Sequence, residues 1–213
     1  MKKIILGLLM TVGFLANAQE YKLEEKSVTG IFEANGKTKA ELFSAINKWI
    51  SVNYNSPKSV IELNDLESGT IIIEGITDGK YNLKPFRPKY KKDKYVIIKF
   101  NHLIEINIED NKLKIIYKIT NLANIKHPKS QAECVKNTLS CINFKGVDDN
   151  SIVKYNEFLE FILKRALIGK EKRNIYKSLS KPLFEELNSN LISNIKVTME
   201  GMAKATTVAS NGW

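Results

Sequence analysis

Cysteine is scarce in this sequence, with two in 213 residues, and neither follows the apolar stretch near the start. A lipid anchor on a cysteine there has no acceptor. Cys134 and Cys141 have six residues between them, whereas paired zinc ligands usually enclose about two to four, so the pair fits a metal site poorly even with His127 nearby. The apolar run Ile4 to Leu15 is twelve residues long, short of the ~18 to 20 needed to cross a bilayer. Neither G-x-S-x-G nor H-E-x-x-H spacing occurs, and there is no internal repeat or low-complexity segment. A hydrolase of familiar type is thereby disfavoured, and no motif calls for a cofactor or a metal.

What is present begins with an address. Lys2 and Lys3, the apolar run and Ala16-Asn17-Ala18 form the three parts of a secretory signal peptide. Cleavage after Ala18 predicts a mature chain starting at Gln19, exported to the periplasm or beyond, without a transmembrane segment. The leader takes residues 1–18, one α+β domain is expected over 19–204, and the small polar residues 205–213 read as a flexible tail. An apolar fraction of 43% suffices for one sizeable core. Lys and Arg number 33 against 23 acids, a formal charge of +10, of which the leader holds two lysines. That excess attracts anionic partners such as acidic polysaccharide, lipid head groups, an acidic protein or nucleic acid, without choosing among them. In an oxidising compartment Cys134 and Cys141 read as one disulfide, with free thiols or pairing to another chain as the alternatives.

Periodicity supplies the order of elements. Lys26 to Ala34 alternates as a strand, with Val28, Gly30 and Phe32 on one face. Thr38 and Glu41 form a capping box that opens a helix carrying Leu42, Ile46, Trp49 and Ile50 on one stripe. Ser59–Asn64 and Thr70–Thr77 read as a hairpin around Asp65 to Gly69. A polar connection from Asp78 to Lys94 leads to a long strand, Tyr95–Ile108, whose even-numbered residues share an apolar face. Asp110-Asn111 turns the chain so that Ile108 meets Leu113 and Ile106 meets Ile115. Residues 123–150 lack a period and read as an ordered loop. A helix follows through Tyr155, Phe158, Leu159 and Ile162, with Gly169 as its C-terminal cap, and Pro182 opens a final helix.

The text Val28-Thr29-Gly30-Ile31-Phe32-Glu33, Lys39-Ala40-Glu41-Leu42-Phe43 to Lys48-Trp49-Ile50, and Gly69-Thr70-Ile71-Ile72-Ile73-Glu74-Gly75 resembles an exported bacterial domain family of unknown function with a fold like the TATA-binding protein. Lys58 to Leu63, the hairpin Ile104 to Asn121 and the helix after Pro182 are similar too. The resemblance implies an antiparallel sheet of about five strands, in the order strand, helix, four strands, helix, with helices on one face. It implies no activity, because the family has no assigned catalytic residues and a shared fold does not transfer function. Residues 123–181 depart from its pattern as an additional loop and helix.

Several constellations have plainer explanations than chemistry. Gly36-Lys37-Thr38 has the ending of a phosphate-binding loop, but Ile31 stands where that motif needs glycine. His102 lies on the apolar face of its strand with no carboxylate or nucleophile placed beside it, which suits a packed histidine. Asp148-Asp149-Asn150 lacks the spaced ligands of a calcium loop and reads as a helix start. The strongest functional candidate is the connection between Lys80 and Lys94. There Lys84, Arg87, Lys89, Lys91 and Lys92 face a single acid, Asp93, and Tyr81, Phe86 and Tyr90 are interleaved. Cations spaced by rings suit an anionic polymer; the competing explanation is a solubilising loop at a sheet edge. The sequence thus indicates an exported, non-catalytic domain binding an envelope protein or anionic polymer, with no specific recognition of nucleic acid. The alternative is an enzyme of unfamiliar type acting on an envelope or extracellular substrate.

Overall fold

The computed structural model describes residues 20–82, 94–123 and 128–208. Its strands are β1 (Glu20–Leu23), β2 (Ser27–Glu33), β3 (Ile61–Asp65), β4 (Thr70–Asn82), β5 (Tyr95–Glu109) and β6 (Lys112–Leu122). They form one antiparallel sheet in the order β1-β2-β6-β5-β4-β3. The expected α+β architecture is present with six strands instead of five. The additional strand, β1, is only four residues long, too short for alternation to declare it.

Asp110-Asn111 reverses the chain between β5 and β6, with Asn111 at φ 63°, a left-handed conformation that asparagine tolerates. Ile108 pairs with Leu113 and Ile106 with Ile115, the register expected from the turn. The same turn anchors its surroundings. Gly36 N donates to Asn111 Oδ1 at 2.6 Å, and Lys39 N donates to Asp110 Oδ1 at 2.7 Å. These bonds satisfy backbone groups around the start of α1 (Lys39–Asn53), beside the capping box of Thr38 and Glu41. Ile108 N donates to Gly69 O at 2.8 Å, drawing in the β3–β4 turn.

The remaining helices are α2 (Pro57–Val60), α3 (Pro128–Ser140), α4 (Asp149–Arg165), α5 (Lys170–Ser178) and α6 (Ser180–Val208). α1 packs against β5 and α6, and α6 also lies across β2, β4 and β6. Phe184, Leu187, Leu191, Ile195, Met199 and Met202 recur every three or four residues along α6 and are buried. They meet Phe100, Ile104, Ile106, Ile115, Tyr117 and Ile119 from the covered face of the sheet in one core. Positions of the opposite parity point the other way, where Tyr95, Ile97 and Ile76 are exposed.

Four expectations are corrected. Residues 128–140 are the helix α3, in place of part of the expected loop, and β4 runs on to Asn82 where a connection was expected from Asp78. α6 continues to Val208 with Thr206 buried, so helix extends into the segment expected to be a flexible tail. Gly169 is the N-cap of α5, not the C-cap of α4; the left-handed position after α4 is filled by Leu167 at φ 56°. Sequence periodicity registers a helix only when its stripe is apolar, and α3 is a largely polar helix.

Gly69 has φ +72°, and a Cβ there would stand 2.3 Å from the carbonyl oxygen of Ile108. That nearest atom is backbone and cannot yield as the Lys39 side chain, 3.1 Å away, could. Gly69→Ala is expected to destabilise the fold by roughly 2 kcal/mol or more, measured by urea unfolding, while Gly36→Ala, with φ +77° but open space around it, costs less.

Candidate functional site

Lys84, Arg87, Lys89, Tyr90, Lys91 and Lys92 lie outside the described residues, as do the cleavage residues Ala18 and Gln19. The foundation of the basic connection is described. Asp78 to Asn82 pair with Tyr95 to Lys99, so β4 and β5 form a ribbon that leads into the connection and out again. On its uncovered face Lys80 Nζ sits 5.4 Å from the centre of the exposed Tyr95 ring, and Lys99 bonds Asp78 at 3.1 Å. An ammonium over an aromatic face is attracted by the ring quadrupole and keeps the rest of its charge available to solvent.

β3 covers only the first part of β4, and among the described residues the edge at 78 and 80 has no strand as its partner. α6 supplies one. Asn194 Nδ2 donates to Asp78 O at 2.8 Å, Asn190 Oδ1 accepts from Lys80 N at 2.9 Å, and Glu186 Oε1 accepts from Asn82 N at 3.0 Å. Four residues of helix rise ~6 Å and two residues of strand rise ~6.7 Å, so side chains four apart can follow alternate backbone groups. The helix therefore closes an edge open to unwanted pairing and fixes the ribbon beneath the connection. In sequence these three residues are simply the polar face of an amphipathic helix.

His102 is packed in the core at 4% exposure. Its Nδ1 lies 2.8 Å from Tyr117 Oη, and its Nε2 lies 3.5 Å from Tyr54 Oη, a long contact. The imidazole occupies room opened by Gly75, where a Cβ would stand 2.8 Å from Nε2. Burial pushes the imidazole down to about 4 and the Tyr54 phenol up to about 12. Neutral rings bonded to each other serve packing, as the sequence pattern suggested.

Cys134 and Cys141 are unbonded thiols, the first exposed and the second buried, in place of the expected disulfide. Cys134 lies within α3, and Cys141 stands in the turn just past its end. Burial raises the Cys141 thiol to about 11, which makes it inert. Asp148 caps α4 by accepting from Ser151 N at 2.8 Å, which accounts for the acidic pair at 148 and 149. Among the described residues, no group of three or more His, Cys, Asp and Glu is placed to hold a metal. A cleft of about 250 Å³ between α6 and residues 143–147 is lined by Phe144, Val147, Glu185, Asn188 and Ile192. Asn188 Nδ2 donates to Cys141 O and Asn143 O, while its buried Oδ1 has no protein partner.

Two outcomes follow. Removing an edge bond by Asn190→Ala is expected to cost about 1 kcal/mol and to speed hydrogen exchange at the Lys80 amide, with amides in the β5–β6 hairpin less affected. For His102, the folded chain resists protonation until about 4, while an unfolded imidazole takes up a proton near 6.5. Stability should therefore be full above about pH 6.5, fall as pH drops toward 4, and lose on the order of 3 kcal/mol in that window from this group. Urea titrations of His102→Gln should show a shallower slope over the same range.

Two crystal structures resemble the chain: a DUF4468 family protein from Bacteroides ovatus and a TBP-like protein from Parabacteroides distasonis. The first is 13% identical with a TM-score of 0.45, over 89% of this chain and 90% of that one. The second is 16% identical with a TM-score of 0.46, over 84% of this chain and 92% of that one. No curated protein matches. Residues 29–124, from β2 through the central hairpin, match the family model described as "Domain of unknown function (DUF4468) with TBP-like fold".

Proposed function

We propose that this protein is an exported, non-catalytic binding domain that grips an anionic polymer of the cell envelope at the end of the β4–β5 ribbon. The observation that carries it is the Lys80–Tyr95 pair, an exposed cation on an exposed ring, at the foot of a connection rich in both residue types. Lys84, Arg87, Lys89, Lys91 and Lys92 supply the charge that draws a polyanion, and Tyr90 and Tyr95 supply faces on which sugars or bases stack. α6 holds the ribbon through Asn190, Asn194 and Glu186, so a ligand meets a fixed platform at its base. Export rests on the leader-like residues 1–18 and cleavage before Gln19.

Two side chains that could act as base or nucleophile are placed in a way that favours binding over catalysis. His102 and Cys141 are buried, and burial moves them away from activation: the imidazole loses its affinity for a proton and the thiol holds its proton more firmly.

Reversing Lys89, Lys91 and Lys92 to Glu is expected to cut retention on heparin and acidic polysaccharide strongly at low salt, with the melting temperature nearly unchanged. Exposed charges contribute little to folding but set attraction to a polyanion. Wild-type retention should fall steadily as salt rises, because counterions released on binding oppose it. Equal retention of the two proteins across the salt series would reduce the connection to a solubilising loop.

A further inference from the structure

We infer that the turn joining α4 to α5 is a docking tip for an anionic lipid surface, with Leu167 at its apex. Leu167 is 92% exposed and adopts φ 56°, a left-handed conformation that usually falls to glycine after a helix. The turn is well built around it. Leu167 N donates to Lys164 O and Ile168 N donates to Leu163 O, the pair of bonds that closes a Schellman motif. Arg173 on α5 reaches back to Glu160 and to the carbonyl of Ile168, so the two helices brace the turn from both sides. A large apolar side chain is thus held outward in a conformation that disfavours it, where glycine would relieve the strain and solvate well.

Leu167 has apolar company. Phe161 and Ile162, on the last turns of α4, are 54% and 44% exposed. The other half of α4 is the part that packs: Ile152 is buried, and Tyr155 meets Phe184 edge-on at 4.8 Å between ring centres. The helix is therefore anchored near its start, where Val153 alone of its large apolar residues is exposed, and Phe161 and Ile162 are uncovered at its far end.

Charge decides the occupant. From Phe161 to Lys177 the chain holds six cations and one acid, Glu171. Glu160, just before, is already engaged by Arg173 at 2.9 Å and Lys177 at 3.0 Å. Lys164, Arg165, Lys170 and Lys172 stay exposed beside the apolar tip, and the Arg165 guanidinium lies 5.5 Å from the Phe161 ring centre. Apolar side chains at an apex with cations behind them match the layers of an anionic bilayer, acyl chains below and phosphates above. The long basic stems can reach back to the phosphates as the tip enters. No described helix is long and apolar enough to cross a membrane, so the contact is one of surface docking. This surface is separate from the β4–β5 ribbon and does not depend on it.

The test is sedimentation of the chain from Gln19 onward with vesicles of phosphatidylcholine alone or mixed equally with phosphatidylglycerol. Wild type is expected to bind the mixed vesicles, to bind pure phosphatidylcholine far less, and to weaken as salt rises. Leu167→Asn keeps a residue that tolerates the left-handed turn while removing the apolar apex, and should lower partitioning about tenfold without lowering the melting temperature. Leu167→Trp should add a fluorescence blue shift with vesicles, quenched by brominated acyl chains. The Lys89, Lys91 and Lys92 to Glu variant should bind vesicles like wild type. Equal partitioning of wild type and Leu167→Asn, or loss of lipid binding confined to the ribbon variant, would overturn the assignment. So would a lipid-independent dimer abolished by Leu167→Asn in protein that ignores vesicles, which would make a second copy the occupant.

Discussion

The bonds that Asp110 and Asn111 make to the backbone at Lys39 and Gly36 tie the central hairpin to the first helix, and the arrangement of the other elements refers back to that joint. β5 and β6 take their register from the two-residue turn. β2 then pairs with β6, β4 with β5, and β1 and β3 add at the edges. A shift of one residue at the turn would exchange the apolar face of both long strands for the polar one. Gly69, pressed against the Ile108 carbonyl, brings the β3–β4 turn to the same end of the sheet. One end of the sheet is therefore stitched by backbone and short polar side chains, and the other end runs out as the β4–β5 ribbon.

α6 resolves two demands at once. Its apolar stripe completes the core, and its neighbouring polar stripe bonds the β4 edge through Asn194, Asn190 and Glu186. The helix also holds the opposite edge strand, where Tyr21 Oη donates to Glu200 at 3.2 Å and Lys196 lies over the Tyr21 ring. Side chains of one helix thus engage β1 at one edge of the sheet and, toward the other, the stretch of β4 that β3 leaves uncovered.

Those projecting elements share a physical character. The ribbon presents Lys80 on Tyr95, and the α4–α5 turn presents Arg165 beside Phe161 with Leu167 at the apex. In each, cation and apolar surface sit together away from the core. They differ in form: the ribbon is an extended pair of strands, and the turn is an apex with a strained, outward leucine.

Sequence was sufficient where the physics is local. The capping box at Thr38 and Glu41, the turn at Asp110-Asn111, the cap at Asp148 and the alternation of β5 each depend on a few neighbouring residues, and each stands as the pattern implied. Tertiary structure decided what depends on residues far apart in the chain. β1 exists because β2 offers it an edge, and residues 78–82 of β4 stay extended because β5 pairs with them and α6 bonds them. Cys134 is exposed on α3 while Cys141, just past its end, is buried, a difference that cysteine parity could not register. Leu167 was invisible for a related reason: composition gives the residue but not its φ, and only the packing of α5 on α4 places the left-handed turn there instead of at Gly169.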